Sequence, residues 1–225
     1  MRKATLSRSL PKNNYMQGRL QHIAICGNIG SGKTTLTEKL AKHYGWIPLY
    51  ESVEQNPYLR DFYDDMTKWG FHLQIYFLNS RFRQVIKIKE NEKPTIQDRT
   101  IYEDAYIFAA NLHESGHIND RDYESYRNIF DSMIEFVKPP DLLIYLRADI
   151  PKLVEQIEKR GRDYEYSIRL DYLRKLNEHY ENWIGDYKLG KVLILDVNKL
   201  DFVKNTEDFS QVVSRVDLEL NSLFS

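Results

Sequence analysis

Gly27-Asn28-Ile29-Gly30-Ser31-Gly32-Lys33-Thr34, followed by Thr35, sits between the apolar run His22-Ile-Ala-Ile-Cys26 and a helical pattern that begins at Lys33. The spacing is that of G-x-x-x-x-G-K-[ST], and a strand before it with a helix after it is the context that gives the pattern meaning. Glycines at these positions let successive backbone N–H groups turn inward into a concave anion nest. The positive end of the following helix adds to the same field. Lys33 is placed to reach the β- and γ-phosphates of a nucleoside triphosphate, and the Thr34 hydroxyl to ligate Mg²⁺. This one stretch predicts an α/β fold wound around a phosphate site.

Outward from it, short β-type runs alternate with long helical patterns, as in βα units around a parallel sheet. Strands are expected at 22–26, 47–51, 95–98, 142–146 and 192–196, and helices at 33–44, 67–90, 101–114, 121–137, 151–159, 169–184 and 207–223. The near-continuous apolarity of the runs suits strands covered on both faces. Thr100-Ile-Tyr-Glu103 fits a capping box with Thr100 as N-cap. Leu170, Leu173, Tyr180 and Trp183 follow helical spacing and are expected in the core. Pro139-Pro140 closes one helix before the next strand.

The chain has 225 residues and a formal net charge of −1, so no global basic field draws it to nucleic acid or to an anionic membrane. Its single cysteine, Cys26, excludes an internal disulfide, reads as a small buried thiol and fits a reducing, cytoplasmic setting. No apolar stretch approaches the ~20 residues that a membrane helix needs. Residues 1–21 carry five Lys/Arg and no acid. Their composition resembles a mitochondrial transit peptide, but they lack an amphipathic stripe, and a flexible basic extension is expected there instead. Residues 22–225 are expected to form one domain.

Ligands in open α/β sheets bind beyond the carboxyl ends of the strands. Glu51 and Asp98 end strands there, and Asp98 is followed by Arg99. A carboxylate facing a P-loop from a neighbouring strand suits a Mg²⁺ ligand, and the adjacent arginine an acid or a phosphate. Gln74 and Arg81 lie seven residues apart on a largely apolar helix, which separates them by only ~20° around the axis and ~10 Å along it. They line a pocket for a polar ring or face solvent together. Lys159-Arg160-Gly161-Arg162 places cations around a glycine, as a mobile lid over transferring phosphate does. Asn198-Lys-Leu-Asp201 imitates a guanine-specificity signature. The chain has no D-x-x-G, however, and only 24 residues follow Asp201, so turn chemistry is the expected role of Asn198 and Asp201.

Taken in order, Gly27–Thr34, Tyr50-Glu51-Ser-Val with Asn56-Pro-Tyr-Leu59, Gln97-Asp-Arg-Thr-Ile-Tyr-Glu-Asp104 and Arg160-Gly-Arg-Asp-Tyr-Glu165 resemble the deoxyribonucleoside kinases, especially the bacterial deoxyadenosine/deoxyguanosine branch. The resemblance runs from about His22 to Leu223. It implies a P-loop kinase fold, a five-stranded parallel sheet flanked by helices and an arginine-bearing lid. It implies ATP as donor, Mg²⁺ as cofactor, a deoxynucleoside as acceptor and a homodimer. By the same resemblance Glu51 is the general base for the sugar 5′-hydroxyl. Arg99 holds that base and the 5′-oxygen, Asp98 serves the metal site, and Arg160 and Arg162 are the lid arginines. Gln74, Arg81 and Asp104 form the base pocket, while Tyr63 and Glu165 read the 3′-hydroxyl. The implied preference is deoxyadenosine, then deoxyguanosine or deoxycytidine. Two departures stand out: Gln156 replaces an earlier lid arginine of some relatives, and Thr100 replaces a serine. A nucleoside-monophosphate kinase and a nucleotide-dependent switch are the competing readings.

Overall fold

The computed structural model describes residues 20–51, 53 and 55–223. The expected basic extension therefore lies, but for Leu20 and Gln21, outside the described residues. Five parallel strands, β1 (His22–Cys26), β2 (Ile47–Leu49), β3 (Thr95–Asp98), β4 (Leu142–Arg147) and β5 (Lys191–Asp196), form one sheet in the order β2-β3-β1-β4-β5. All five expected strands are present. β2 ends two residues early, because its last pairing with β3 is Leu49↔Gln97, and Tyr50 and Glu51 leave the sheet.

Side-chain alternation along β1 splits the core in two. Ile23 and Ile25 face one layer with Leu36 and Leu40 of α1 (Lys33–Tyr44) and Val212 and Val216 of α9 (Thr206–Leu223). Ala24 and Cys26 face the other, with Leu73 of α3 (Met66–Glu90) and Leu173, Leu176 and Tyr180 of α8 (Leu170–Gly185). The period of two is what a strand buried on both faces demands. Cys26 is fully buried, as expected, and burial pushes its thiol up.

The remaining helices depart from the sequence pattern in instructive places. A short α2 (Leu59–Asp64), too brief to show a period, precedes α3, and Asp65 caps α3 by accepting from Lys68 N at 3.0 Å. The segment expected as one helix over 101–114 is α4 (Ile101–Glu103), a π-helical turn (Asp104–Ala109) and α5 (Ala110–Glu114). Thr100 and Glu103 form the expected capping box at its start. Next come α6 (Asp120–Ile134) and α7 (Ile150–Arg160), and a 3-10 turn (Asp163–Ser167) then leads into α8. On α8, Leu173 and Tyr180 are core and Trp183 is half-buried. Leu170 is not core: at the first helical residue, off the centre of the buried stripe, it is 50% exposed. No described helix is long and apolar enough to cross a membrane.

Asn198 and Asp201 do serve turn chemistry. Asn198 Oδ1 accepts from Asp149 N, and Asp201 Oδ1 accepts from Val203 N and Lys204 N, the local bonds expected of turn residues.

Ile144 lies wholly buried in the interior strand β4, between β1 and β5. Ile144→Ala is expected to cost about 2–5 kcal/mol in urea denaturation, the range for truncating a large buried aliphatic side chain. A cost within the range of surface substitutions would mean that this layer collapses around the deletion.

Candidate active site

The loop after β1 is built by backbone requirements. Gly30 has φ +85°, and a Cβ there would fall 2.7 Å from the Leu153 carbonyl oxygen; Gly32 has φ +93° and is the N-cap of α1. Asn28 ties the turn together, its Oδ1 accepting from Ile29 N at 2.7 Å and its carbonyl from Ser31 N at 3.2 Å. Its Nδ2 donates to Leu173 O and to Asn177 Oδ1, which pins the loop to α8. Lys33 Nζ spans the loop to the Asn28 carbonyl at 2.7 Å. Burial, then the neighbouring Arg99, pulls the Lys33 ammonium down to about 7 against the opposing pull of Asp98, Glu103 and Glu51. Thr34 is exposed and Thr35 half-buried at the start of α1.

Strand order places the ends of β3 and β2 beside this loop. Asp98 Oδ2 accepts from the Thr34 hydroxyl at 2.6 Å, while Asp98 Oδ1 is buried without a partner. A hydroxyl beside a carboxylate oxygen that lacks a donor suits a hard cation whose other ligands are phosphates and water, so Thr34 and Asp98 fit Mg²⁺. Among the described residues no group of three or more His, Cys, Asp or Glu could hold a metal by itself.

Glu51 emerges between two buried arginines. Arg81 Nη2 donates to its Oε1 at 2.7 Å, and Arg99 Nε lies 3.2 Å from the same oxygen. Burial raises the Glu51 carboxyl, but Arg99, Arg81 and Lys33 together outweigh it and hold the group below its ordinary value. Arg81 also donates through Nη1 to the Asp98 carbonyl at 2.9 Å. Its Nε lies 3.4 Å from Asp104 Oδ2 without alignment for a hydrogen bond, leaving both atoms buried and unsatisfied. Gln74 Oε1 is likewise buried with no partner. Burial pushes the Asp104 carboxyl up to about 7. Gln74 and Arg81 are both buried, so they do not face solvent together; Gln74 lines a cavity, and Arg81 lies against Glu51 and Asp104 without lining it.

Most of these groups line one cavity of about 1030 Å³; Arg81 and Asp98 do not. Gly30, Lys33 and Thr34 line one end. Glu51, Gln74, Arg99 and Asp104 lie along it with Tyr63, Phe108 and Tyr172. Tyr63 stacks on Tyr164, ring centroids 5.8 Å apart. Arg160, Arg162 and Glu165 line it too: Arg160 is bidentate to Glu165 at 2.9 and 2.5 Å, and Arg162 Nη1 reaches the same carboxylate at 3.4 Å. The two arginines thus converge on the acid expected to read the sugar.

Three residues beyond those expected take part. Gln84, buried on α3, donates to the Tyr50 carbonyl at 2.7 Å and accepts from Gln97 and Arg81, which fixes the backbone from which Glu51 departs. Glu103, expected only as a capping residue, lies 3.6 Å from Arg99 Nη1. Tyr180, expected only as core, hydrogen-bonds both. A polar hydroxyl on an otherwise apolar helical stripe was the sole sequence signal for Tyr180. A carboxylate one residue before Asp104 was the only one for Glu103.

Known proteins are similar to this chain over nearly its whole length. Residues 23–221 match the deoxynucleoside kinase family model. The chain is 37% identical over 209 residues to a deoxyadenosine/deoxycytidine kinase of Bacillus subtilis, covering 92% of this chain and 93% of that one. It is 40% identical over 208 residues to a deoxyadenosine kinase of Dictyostelium discoideum, covering 89% and 84%. Among solved structures it is similar to the deoxyadenosine kinase of M. mycoides with bound dATP, at a TM-score of 0.78 and 30% identity, covering 87% of this chain and 99% of that one. A P-loop at the head of a parallel sheet is common to many enzymes, but a family match of this length at this identity is not, and the chain belongs to the deoxynucleoside kinases.

Proposed function

We propose that the protein transfers the γ-phosphoryl group of ATP to the 5′-hydroxyl of a deoxynucleoside, deoxyadenosine first and deoxyguanosine or deoxycytidine after it. The observation that carries the substrate choice is the pair of buried polar atoms without partners on residues that line the cavity, Gln74 Oε1 and Asp104 Oδ2, with Arg81 Nε unsatisfied beside Asp104. Leaving such atoms unpaired is costly, so they favour a ligand edge that supplies donors and acceptors. The amide of Gln74 matches the amine and ring nitrogen of adenine or cytosine, and a carboxylate accepts a further amine hydrogen. Thymine would set a carbonyl against that carboxylate. The names of the Bacillus and Dictyostelium relatives support the same preference.

In this reading the P-loop cradles the donor phosphates, Lys33 neutralises their charge, and Thr34 and Asp98 hold Mg²⁺, which when bound offsets negative charge on the phosphate oxygens. Glu51 accepts the hydrogen of the 5′-hydroxyl and orients its oxygen, and Arg99 fixes Glu51. Tyr63 and Glu165 take the 3′-hydroxyl. The segment from α7 to α8 is the lid: Arg160 and Arg162 leave Glu165 as the sugar arrives and turn to the transferring phosphoryl group. The competing monophosphate-kinase reading needs cations reserved for an acceptor phosphate. Arg99 is instead engaged with Glu51, and in this reading Arg160 and Arg162 serve the transferring group. We place the enzyme in the cytoplasm, a reading supported by the lone buried thiol of Cys26.

The homodimer rests on α3 and α6. Ile86, Ile129 and Phe136 are 44%, 40% and 64% exposed on or just beyond these helices, and Lys89, one turn from Ile86, donates to the Phe136 carbonyl. Exposed apolar side chains on two helices packed against each other suit a second copy of the chain.

Incubation with Mg-ATP and each of the four deoxynucleosides and adenosine, with products resolved by chromatography, is expected to give 5′-monophosphate fastest from deoxyadenosine. Strong preference for thymidine, or activity with dAMP in place of the nucleoside, would overturn the reading. In the same assay Glu51→Gln is expected to lower kcat roughly a hundredfold or more, as for loss of a positioned carboxylate base; near-normal turnover by a folded variant would remove Glu51 from that role.

Because Lys33 is pulled down to about 7 in the free site and phosphate restores its charge, ATP binding should consume a proton above that pH. Titration calorimetry at pH 8 in buffers of different ionisation enthalpy is expected to show uptake of up to about one proton, and affinity falling as pH rises further. Buffer-independent heats would show that Lys33 is already charged. Sedimentation is expected to find a dimer of the 26.8 kDa chain, and Phe136→Glu a monomer. A monomeric parent protein would end the dimer proposal.

A further inference from the structure

Arg99 is held on the side away from Glu51 by a relay that reaches neither substrate. Its Nη1 donates to the Tyr180 hydroxyl at 2.8 Å, and that hydroxyl donates to Glu103 Oε1 at 2.8 Å. Glu103 Oε2 accepts from Thr100 N at 2.7 Å, and Gly27 N approaches Oε1 at 3.4 Å. Tyr180 and Glu103 are both wholly buried, and neither lines the cavity.

Packing and capping leave part of this arrangement unexplained. The Tyr180 ring stacks on Tyr145 at 5.8 Å and meets Phe108 edge-on at 6.5 Å, contacts that a phenylalanine would keep. The capping box uses Glu103 Oε2 and the Thr100 hydroxyl, and needs nothing from Oε1. The hydroxyl of Tyr180 and the second oxygen of Glu103 are therefore committed to Arg99 and Gly27. Arg99 itself has φ 70°, the only left-handed non-glycine among the described residues. Such a backbone persists only where its surroundings over-determine it. The Arg99 guanidinium also lies over the Phe108 ring, 4.5 Å from its centroid.

A second consequence follows from charge. When the 5′-hydroxyl engages Glu51, Arg99 shares its nearest counter-ion with the substrate, and a buried guanidinium without compensation is costly. Glu103, reached through Tyr180, supplies the compensation from behind. Tyr180 stands on α8, the helix that also holds the P-loop through Leu173 and Asn177 and begins just after Glu165. Charge-assisted bonds in series, shielded from water, fix direction well.

We propose that Tyr180 and Glu103 are positioning residues for phosphoryl transfer, a buried relay that aims the Arg99 guanidinium at Glu51 and ties it to the P-loop. This rests on the roles proposed above for Arg99 and Glu51. Tyr180→Phe removes one oxygen and keeps the ring; Glu103→Gln keeps the shape and removes the charge. Each is expected to lower kcat roughly tenfold to a hundredfold, the loss of one hydrogen bond to a charged group, with KM for ATP and the best deoxynucleoside changed by less than about threefold. In an Arg99→Lys background, adding Tyr180→Phe should change kcat by less than about twofold, because the relay acts through the group already lost. A merely structural role would lower thermal stability and multiply through that background unchanged. The proposal is overturned if Tyr180→Phe turns over at the wild-type rate while Glu51→Gln and Arg99→Lys are slow, or if the effects multiply. Wild-type turnover by Arg99→Lys itself would instead remove the role of Arg99, and the relay with it. Should Tyr180→Phe fail to fold, Glu103→Gln carries the same comparisons.

Discussion

Three cations, Lys33, Arg81 and Arg99, are withdrawn from water at the carboxyl edge of this sheet, and every other feature of the site answers that constraint. An uncompensated buried charge costs several kcal/mol, so each must be met from more than one side. Arg81 meets Glu51, the Asp98 carbonyl and, less well aligned, Asp104. Arg99 meets Glu51 in front and Tyr180 with Glu103 behind. Lys33 meets the Asn28 carbonyl within its own loop. These partners come from the ends of β2 and β3, from α3 and α8, and from the turns after β3. Neutralising the charges therefore adds a directional constraint to the apolar packing that already joins these segments.

Sheet order makes the convergence possible. With β3 between β1 and β2, the residues leaving β2 and β3 flank the P-loop, and Asp98 comes within 2.6 Å of Thr34. The early exit of β2 matters as much. Had pairing continued through Glu51, its side chain would follow the sheet's alternation. Released after Leu49, and with the Tyr50 carbonyl held by Gln84, it lies between the arginines. The π-helical turn that carries Asp104 and Phe108 along the cavity is a further irregularity placed at the site.

What was legible in the sequence follows how local each demand is. The P-loop was legible because its glycines answer a backbone requirement within eight residues, and the strands because burial on both faces writes continuous apolar runs. Gln74 and Arg81 were legible as a pair on one helical flank, but not as buried, since periodicity does not say what faces the flank. Glu165 was reachable only by resemblance, in a 3-10 turn without a pattern of its own. Glu103 and Tyr180 were hidden for a different reason. Each already had a sufficient local explanation, a capping box for one and a helical stripe for the other, and a satisfied local account gives no cause to look for a tertiary one. Leu170 shows the reverse error, since helical spacing put in the core a residue that the helix start leaves exposed.

The two carboxylates beside Arg81 are driven apart in acidity, and the division suits two different tasks. Burial raises both, but Glu51 also faces Arg99 and Lys33, and stays below its ordinary value, whereas Asp104 is pushed up to about 7. A lowered pKa makes Glu51 a poor proton acceptor in the ground state. That is no defect for a loose phosphoryl-transfer transition state, in which the acceptor hydroxyl needs orientation early and gives up its proton only as the new bond forms. A fixed anion held between two arginines supplies that orientation without reorganising at the moment of reaction. Asp104, which burial leaves easily neutralised in the free site, is suited instead to the base, where an amine donor favours its carboxylate form. The same ion cluster thus holds one acid anionic for the sugar and leaves the other adjustable for the base.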